Sequence, residues 1–190
     1  MDTLHIGLIS VSDRAANNLY QDQGIPTLKN WLSRALITPF KFQTRLVPDE
    51  KSIIEQVICE LVDECSCHLV LTTGGTGPAC RDVTPDATLA IADRQIPGFG
   101  EQMRQISMQF VPTGILSRQV GVIRRQSLIL NLPGQPKAIT DILEGLKEEH
   151  VLKVPGIFAC VPYCLQLLEA PYVETHSNVV ESFRPKNLHK

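Results

Sequence analysis

Leu69-Val70-Leu71-Thr72-Thr73-Gly74-Gly75-Thr76-Gly77-Pro78-Ala79-Cys80-Arg81-Asp82-Val83-Thr84-Pro85-Asp86 decides the fold of this 190-residue chain, because an apolar strand runs straight into a glycine-rich turn and then a helix start. The three glycines let the backbone turn sharply and leave its N–H groups uncovered. Thr72, Thr73 and Thr76 add hydroxyls, and the N-terminus of the following helix adds partial positive charge, so the turn suits a phosphate. Asp82 places a carboxylate beside a site that wants anions, which makes sense if a cation joins them.

Upstream, Leu4-His5-Ile6-Gly7-Leu8-Ile9-Ser10-Val11 is apolar with little alternation, as expected of a parallel strand covered on both faces. Ile25, Leu28, Trp31, Leu32 and Ala35 recur at helical steps with Pro26 in the first turn. Phe40 to Val47 reads as a second strand whose alternating first half suits an edge. Ile54, Val57, Ile58 and Leu61 mark a further helix leading to the strand that feeds the turn. Downstream the sequence predicts helices over about 85–92 and 100–111, a strand at Ser127–Leu132 and a helix after Pro133-Gly134-Gln135-Pro136. Phe158 to Leu168 reads as a final helix, and about 171–190 as an extended tail. Alternating strands and helices call for an α/β fold with a mostly parallel sheet, helices on both faces, and ligands outside the carboxyl ends of the strands.

A chain of this length is expected to form a single domain, 1–190, burying roughly 70% of its unfolded surface. With 43% hydrophobic and 20% charged residues and a net charge of −2, it has no general basic footprint for nucleic acid. No apolar run reaches the roughly 20 residues of a membrane span, and no signal-like N-terminus precedes the first strand, so the cytoplasm is the expected address. Cys59, Cys65, Cys67, Cys80, Cys160 and Cys164 are then expected as reduced thiols. Cys65-Ser66-Cys67-His68 lacks zinc-finger spacing and a matching second half.

Two familiar nucleotide motifs fail on residues. A dinucleotide fingerprint starting at Gly75 needs a glycine where Cys80 stands, and no Gly-Lys-Ser/Thr is present for a Walker loop. Thr84-Pro85 offers a helix cap and a proline at the first helical position, which leaves Asp82 for other work. Asp49 is open between capping the helix after Glu50 and joining the crevice. Asp13 and Arg14 follow the first strand, where they can cap, ion-pair at the surface, or in Arg14's case hold a phosphate. Glu101 and Arg104, three apart on a helix, form either a surface pair or part of a binding site. Asn131-Leu132-Pro133-Gly134-Gln135-Pro136-Lys137 is either a plain rigid turn or one that brings Lys137 to an anion.

Taken together, Ser10-Val11-Ser12-Asp13-Arg14, Thr72 to Ala87, Pro97-Gly98-Phe99-Gly100-Glu101-Gln102-Met103-Arg104, Asn131-Leu132-Pro133-Gly134 and Pro171-Tyr172-Val173-Glu174-Thr175 resemble the molybdopterin adenylyltransferase family of molybdenum cofactor biosynthesis. The resemblance implies a three-layer α/β/α fold, usually trimeric, that activates molybdopterin with Mg-ATP to give adenylyl-molybdopterin and pyrophosphate. It implies Asp49 and Asp82 as the essential acidic pair, and Gly74, Gly75, Thr76 and Gly77, with Thr73, as the phosphate-cradling turn; because both substrates are anionic, Asp82, with Asp49 as second candidate, is expected to hold Mg²⁺. Further binding roles fall on Ser12, Asp13, Arg14, Glu101, Arg104, Asn131, Pro133 and Gly134. A molybdate-inserting enzyme is the implied downstream partner, and the rival reading is a non-catalytic molybdopterin carrier or scaffold. One departure is Ala16-Asn17-Asn18-Leu19, where relatives usually carry a turn glycine and an Asn must supply the left-handed backbone.

Overall fold

The computed structural model describes residues 3–148 and 151–185. Its elements in chain order are β1 (Leu4–Val11), α1 (Asp13–Ala16), α2 (Gly24–Ala35), β2 (Phe40–Val47), α3 (Lys51–Cys59), β3 (Leu69–Thr73), α4 (Thr84–Ala90), β4 (Arg94–Gln95), α5 (Pro97–Met108), β5 (Gly121–Arg124), β6 (Ser127–Leu132), α6 (Pro136–Glu144), β7 (Gly145–Glu148), β8 (Val151–Pro155) and α7 (Val161–Leu167). Six strands form one sheet in the order β2-β1-β3-β6-β5-β4. β2, β1, β3 and β6 are parallel, whereas β5 and β4 run antiparallel to their neighbours. β7 and β8 form a separate antiparallel pair.

Both faces of the sheet are covered, which is why its central strands are apolar without alternation. On one face Leu4, Ile6, Leu8, Leu69, Leu71, Leu128 and Leu130 pack with Leu28, Trp31 and Leu32 of α2, Met103 and Ile106 of α5, and Ile139 and Leu143 of α6. On the other, Ile9, Val11, Val70 and Ile129 pack with Ile54 and Ile58 of α3 and Ala87 of α4. Trp31 meets Phe158 edge-on at 4.8 Å between ring centroids, a geometry worth about 0.5–1.5 kcal/mol beyond buried area. Its indole N–H donates to Glu144 Oε1 at 2.8 Å, so the polar corner of a buried ring is satisfied.

Several bounds move from their sequence expectations. α3 continues as a wider π-type turn over Glu60–Glu64, and α5 begins at Pro97 and stops at Met108. The last expected helix divides into a 3₁₀ turn, Ile157–Ala159, and α7, with Cys160 at the junction. The tail from Pro171 is extended, as expected, and is tied down: Glu174 O accepts from Ile37 N–H, and Ala35 O accepts from His176 N–H. Its last residues, 186–190, lie outside the described residues. Asn18 adopts φ +56°, the left-handed conformation that glycine would otherwise supply.

The strand order fixes where the loops converge. The chain leaves β1 toward β2 on one side, then returns across β1 to place β3 on the other. Loops after β1 and β3 therefore diverge and open a crevice between them at the carboxyl edge.

Candidate active site

The turn after β3 is built from two left-handed glycines, Gly74 at φ +95° and Gly75 at φ +62°. A side chain at Gly74 would run into the carbonyl of Val11, and one at Gly75 would strike Thr84 Oγ1 and stand 3.0 Å from Asp49 Oδ1. At Gly77 it would lie 2.7 Å from Asp82 Oδ2. The turn thus brings the two acidic residues against itself, Asp49 from the end of β2 and Asp82 from the loop before α4.

The carbonyls of this turn are taken. Gly74 O accepts the Thr84 hydroxyl at 3.0 Å and Gly75 O the Thr84 N–H at 3.1 Å. Thr76 O accepts the Arg118 N–H at 2.9 Å, and Gly77 O accepts Arg118 Nε–H at 3.0 Å. Among the described residues, no acceptor takes the N–H groups of Gly75, Thr76 or Gly77. With acceptors engaged and consecutive donors free, the turn is a positive concavity for an anion.

The acidic side is a network. Asp13 Oδ1 accepts the Asp49 N–H at 3.0 Å while Asp49 Oδ2 accepts the Asp13 N–H at 2.8 Å, a reciprocal clasp between the ends of β1 and β2. Arg81 binds Asp13 through two nitrogens and reaches Glu50 at 2.9 Å. Burial pushes the Asp49 carboxyl above its usual range; negative Asp13 and Asp82 push the same way, and the Asp13 N–H bond and Arg81 oppose them. The Arg81 hydrogen bond, helped by the Asp49 N–H, holds the Asp13 carboxyl below its usual range.

Some sequence expectations change here. Asp49 does not cap α3, whose N-cap is Glu50; its Oδ2 accepts the Asp13 N–H instead. Thr84 is not the cap of α4 either, because Val83 holds that position and the Thr84 hydroxyl serves Gly74. Asp82 accepts the Ala79 N–H at 3.0 Å, stabilising the loop beside the turn. Asn131 is fully buried and donates to Thr72 and Thr88 at 3.0 and 2.9 Å, so it fixes β3 and α4 rather than presenting itself to the crevice.

Ser12 Oγ accepts the Ala15 N–H and caps α1. Arg14 is exposed, its guanidinium 5.4 Å from the Tyr20 ring centroid. The Thr73 hydroxyl donates to Pro133 O at 2.7 Å, which draws Pro133 and Gly134 against the turn. Glu101 and Arg104 do not pair; Arg104 donates to Gln119 O at 3.1 Å, and Glu101 is exposed on α5. Arg118, which no motif marks, binds both ends of the loop between the turn and α4.

A cavity of about 560 Å³ adjoins the turn, with Thr76, Gly77 and Pro133 on one side and Phe110, Leu116 and Lys137 among its other walls. Lys137 pairs with Asp141 at 2.7 Å and lies 4.5 Å from the Phe110 ring centroid. Among the described residues no group of three or more His, Cys, Asp or Glu side chains can hold a metal by itself. Two carboxylates beside a phosphate cradle are nevertheless the donor set that suits Mg²⁺, which is usually held by one or two carboxylates together with substrate phosphates.

Residues 7–153 match the family described as "probable molybdopterin binding domain". The chain is 70% identical over 191 residues to the molybdopterin adenylyltransferase of Escherichia coli K12, covering all of this chain and 98% of that protein. Identity to the Haemophilus influenzae molybdopterin adenylyltransferase is 66% over 188 residues, covering 98% of this chain and 95% of that one. The crystal structure of the molybdopterin biosynthesis enzyme MoaB from Thermus thermophilus superposes with a TM-score of 0.74 at 34% identity, covering 90% of this chain and 99% of that one. Fold, turn and relatives agree, and the chain belongs to the molybdopterin adenylyltransferase family.

Proposed function

We infer that this nucleotidyltransferase runs its reaction over the Gly74–Gly77 turn, joining the terminal phosphate of molybdopterin to the adenylyl group of ATP. The observation that carries the reading is the run of unclaimed N–H groups at Gly75, Thr76 and Gly77, with Asp49 and Asp82 at its rim. The attacking phosphate is already ionised at neutral pH, so no strong general base is required. An oxygen of that phosphate bonds to the α-phosphorus of ATP, the α–β bridging bond breaks, and pyrophosphate leaves with the bonding electrons.

The barrier is repulsion between anions. Two like charges about 4 Å apart cost about 4 kcal/mol at an effective dielectric of about 20, and both substrates carry several. The turn N–H groups offset part of this by binding phosphate oxygens without reorganising. Asp82, with Asp49 beside it, would hold Mg²⁺, which when bound neutralises charge on the phosphates. The raised Asp49 carboxyl is compatible with that assignment, since a bound cation would offset the burial that, with nearby Asp13 and Asp82, disfavours its charge. The cavity walled by Phe110 and Leu116 is apolar enough for a flat heteroaromatic ring, and we assign it to the pterin.

The family resemblance extends this reading to a cytoplasmic homotrimer whose product passes to a molybdate-inserting enzyme. Sedimentation equilibrium tests the first point against three times the 21.1 kDa chain mass. The central test is pyrophosphate release from ATP and molybdopterin. Asp82→Asn is expected to lower kcat by about 100-fold or more while molybdopterin still binds. Near wild-type turnover by Asp82→Asn would remove that residue from the chemistry, and no Mg²⁺-dependent pyrophosphate release by the native chain would leave only a carrier.

A further inference from the structure

Asp82 is held in place from a distance. Among the described residues its carboxylate accepts one bond, the Ala79 N–H, and residues 78–81 around it are exposed and outside any helix or strand. Arg81 ties the loop to Asp13 and Glu50, and Thr84 ties its end to Gly74; the backbone carbonyl of Asp82 itself is held by Arg118, 36 residues further along the chain, just before β5. The Arg118 N–H donates to Thr76 O at 2.9 Å and its Nε–H to Gly77 O at 3.0 Å. Its Nη2 donates to Asp82 O, and Nη1 and Nη2 pair with Asp86 Oδ1 and Oδ2 at 3.1 and 2.8 Å. One planar guanidinium therefore bonds the start of the loop, the backbone of Asp82 and the first turn of α4 together.

We propose that Arg118 is a positioning residue for the adenylyl transfer, its guanidinium fixing Asp82 against the glycine turn and keeping the Gly77 carbonyl turned inward. The proposal rests on the reading of Asp82 as a Mg²⁺ ligand. Its chemistry follows from the fork of donors: a lysine ammonium carries the charge on a single nitrogen and lacks the planar geometry that meets Gly77, Asp82 and Asp86 together. The side chain is 39% exposed, so the carbonyls it releases on removal can be rehydrated and the fold is expected to survive. The effect belongs to the site instead, because partners that orient metal ligands usually change affinity or activity by about 10- to 100-fold.

The experiment compares native chain, Arg118→Ala, Arg118→Lys and Asp82→Asn. Mn²⁺ affinity is measured by electron paramagnetic resonance in the presence of α,β-methylene-ATP, beside kcat, KM for molybdopterin and the thermal midpoint. Both Arg118 variants are expected to weaken Mn²⁺ binding and lower kcat by about 10- to 100-fold, with KM for molybdopterin little changed. Methylguanidinium is expected to restore part of both in Arg118→Ala, and an equal concentration of sodium chloride is not. Native Mn²⁺ affinity in both Arg118 variants, alongside a weakened Asp82→Asn, overturns the positioning role alone. Native Mn²⁺ affinity in Asp82→Asn overturns the assignment of Asp82, and this proposal with it. Should Arg118→Ala fail to fold, Arg118→Lys decides by the same measurements.

Discussion

The two ends of the parallel strands are built on opposite terms. At the carboxyl edge the backbone is bent through left-handed glycines, donors are left free, and Asp13, Asp49, Arg81, Asp82 and Arg118 crowd together half in water. At the amino edge the ends are closed by pairing. The His5 N–H donates to His68 Nδ1 at 3.0 Å and the His68 N–H to His5 O at 2.9 Å, while the Ser127 hydroxyl donates to Cys67 O at 2.7 Å. The same sheet thus satisfies its polar groups internally at one edge and, among the described residues, leaves the turn's donors without an acceptor at the other. Substitutions at the carboxyl edge are expected to remove activity and spare the fold, and those at the amino edge the reverse.

The sharpest way to break this contrast is Gly75→Ala. A methyl group there meets Thr84 Oγ1, stands 3.0 Å from Asp49, and must occupy φ +62°. Left-handed backbone costs a non-glycine residue about 1–2 kcal/mol, so the protein folds less stably but folds. Activity is expected to fall by about 100-fold, the scale of a displacement of about 1 Å in a reacting site. The control is Gly98→Ala in the first turn of α5, where a methyl group meets nothing within 4 Å. That change is expected to leave activity intact and stability equal or slightly higher. Equal losses of turnover in the two variants would show that the turn's geometry is not what the reaction uses.

Much of this contrast is legible before any coordinates. β1, β2, β3 and β6, with α2, α3 and α6, announce themselves through apolar runs and helical spacing, and the glycine turn marks the crevice they create. The antiparallel corner does not. β4 has two residues, and the β5–β6 hairpin turns on Arg125-Gln126 without the Asn-Gly or Asp-Gly that signals such a turn. Arg125 sits at φ +51° in this turn, its N–H accepted by Asp93 and its guanidinium paired with Asp63, partners too distant in sequence to be read as a pattern. Arg118 is hidden for the same reason. Thr84 misleads in another way: Thr-Pro at a helix start is a sound capping signal, and a carbonyl from the glycine turn takes the hydroxyl first. Asp49 stays ambiguous until β1 and β2 are seen to clasp at their ends.

A smaller effect is expected at the amino edge from Ser127→Ala. Ser127 is buried, and its hydroxyl reaches the Cys67 carbonyl just before β3 begins. Losing a buried bond of this kind costs about 1 kcal/mol, read from urea unfolding midpoints. Turnover per folded molecule should not change, because the bond lies a full strand length from the turn. A loss of kcat with unchanged stability would show that the two edges are coupled and that their roles do not separate.

The gentlest probe is pH. His68 Nδ1 accepts a hydrogen bond from His5, which holds the ring neutral at that nitrogen, and burial lowers its proton affinity, with His5 adding to the effect. The unfolded chain takes up this proton near the ordinary value of 6.5, whereas the folded chain resists until lower pH. Between those two points the unfolded state binds more protons, so stability falls as pH drops from about 6.5 and is unaffected by this group above it. His5 and the exposed Glu169 face the same cavity as His68, so the test is a difference between native chain and variant. Urea unfolding of native chain and His68→Gln at pH 7.5 and 5.5 should show the smaller pH dependence in the variant. Equal dependence in the two would mean that His68 is protonated in the folded state as readily as in the unfolded, and that its bond to His5 yields without cost.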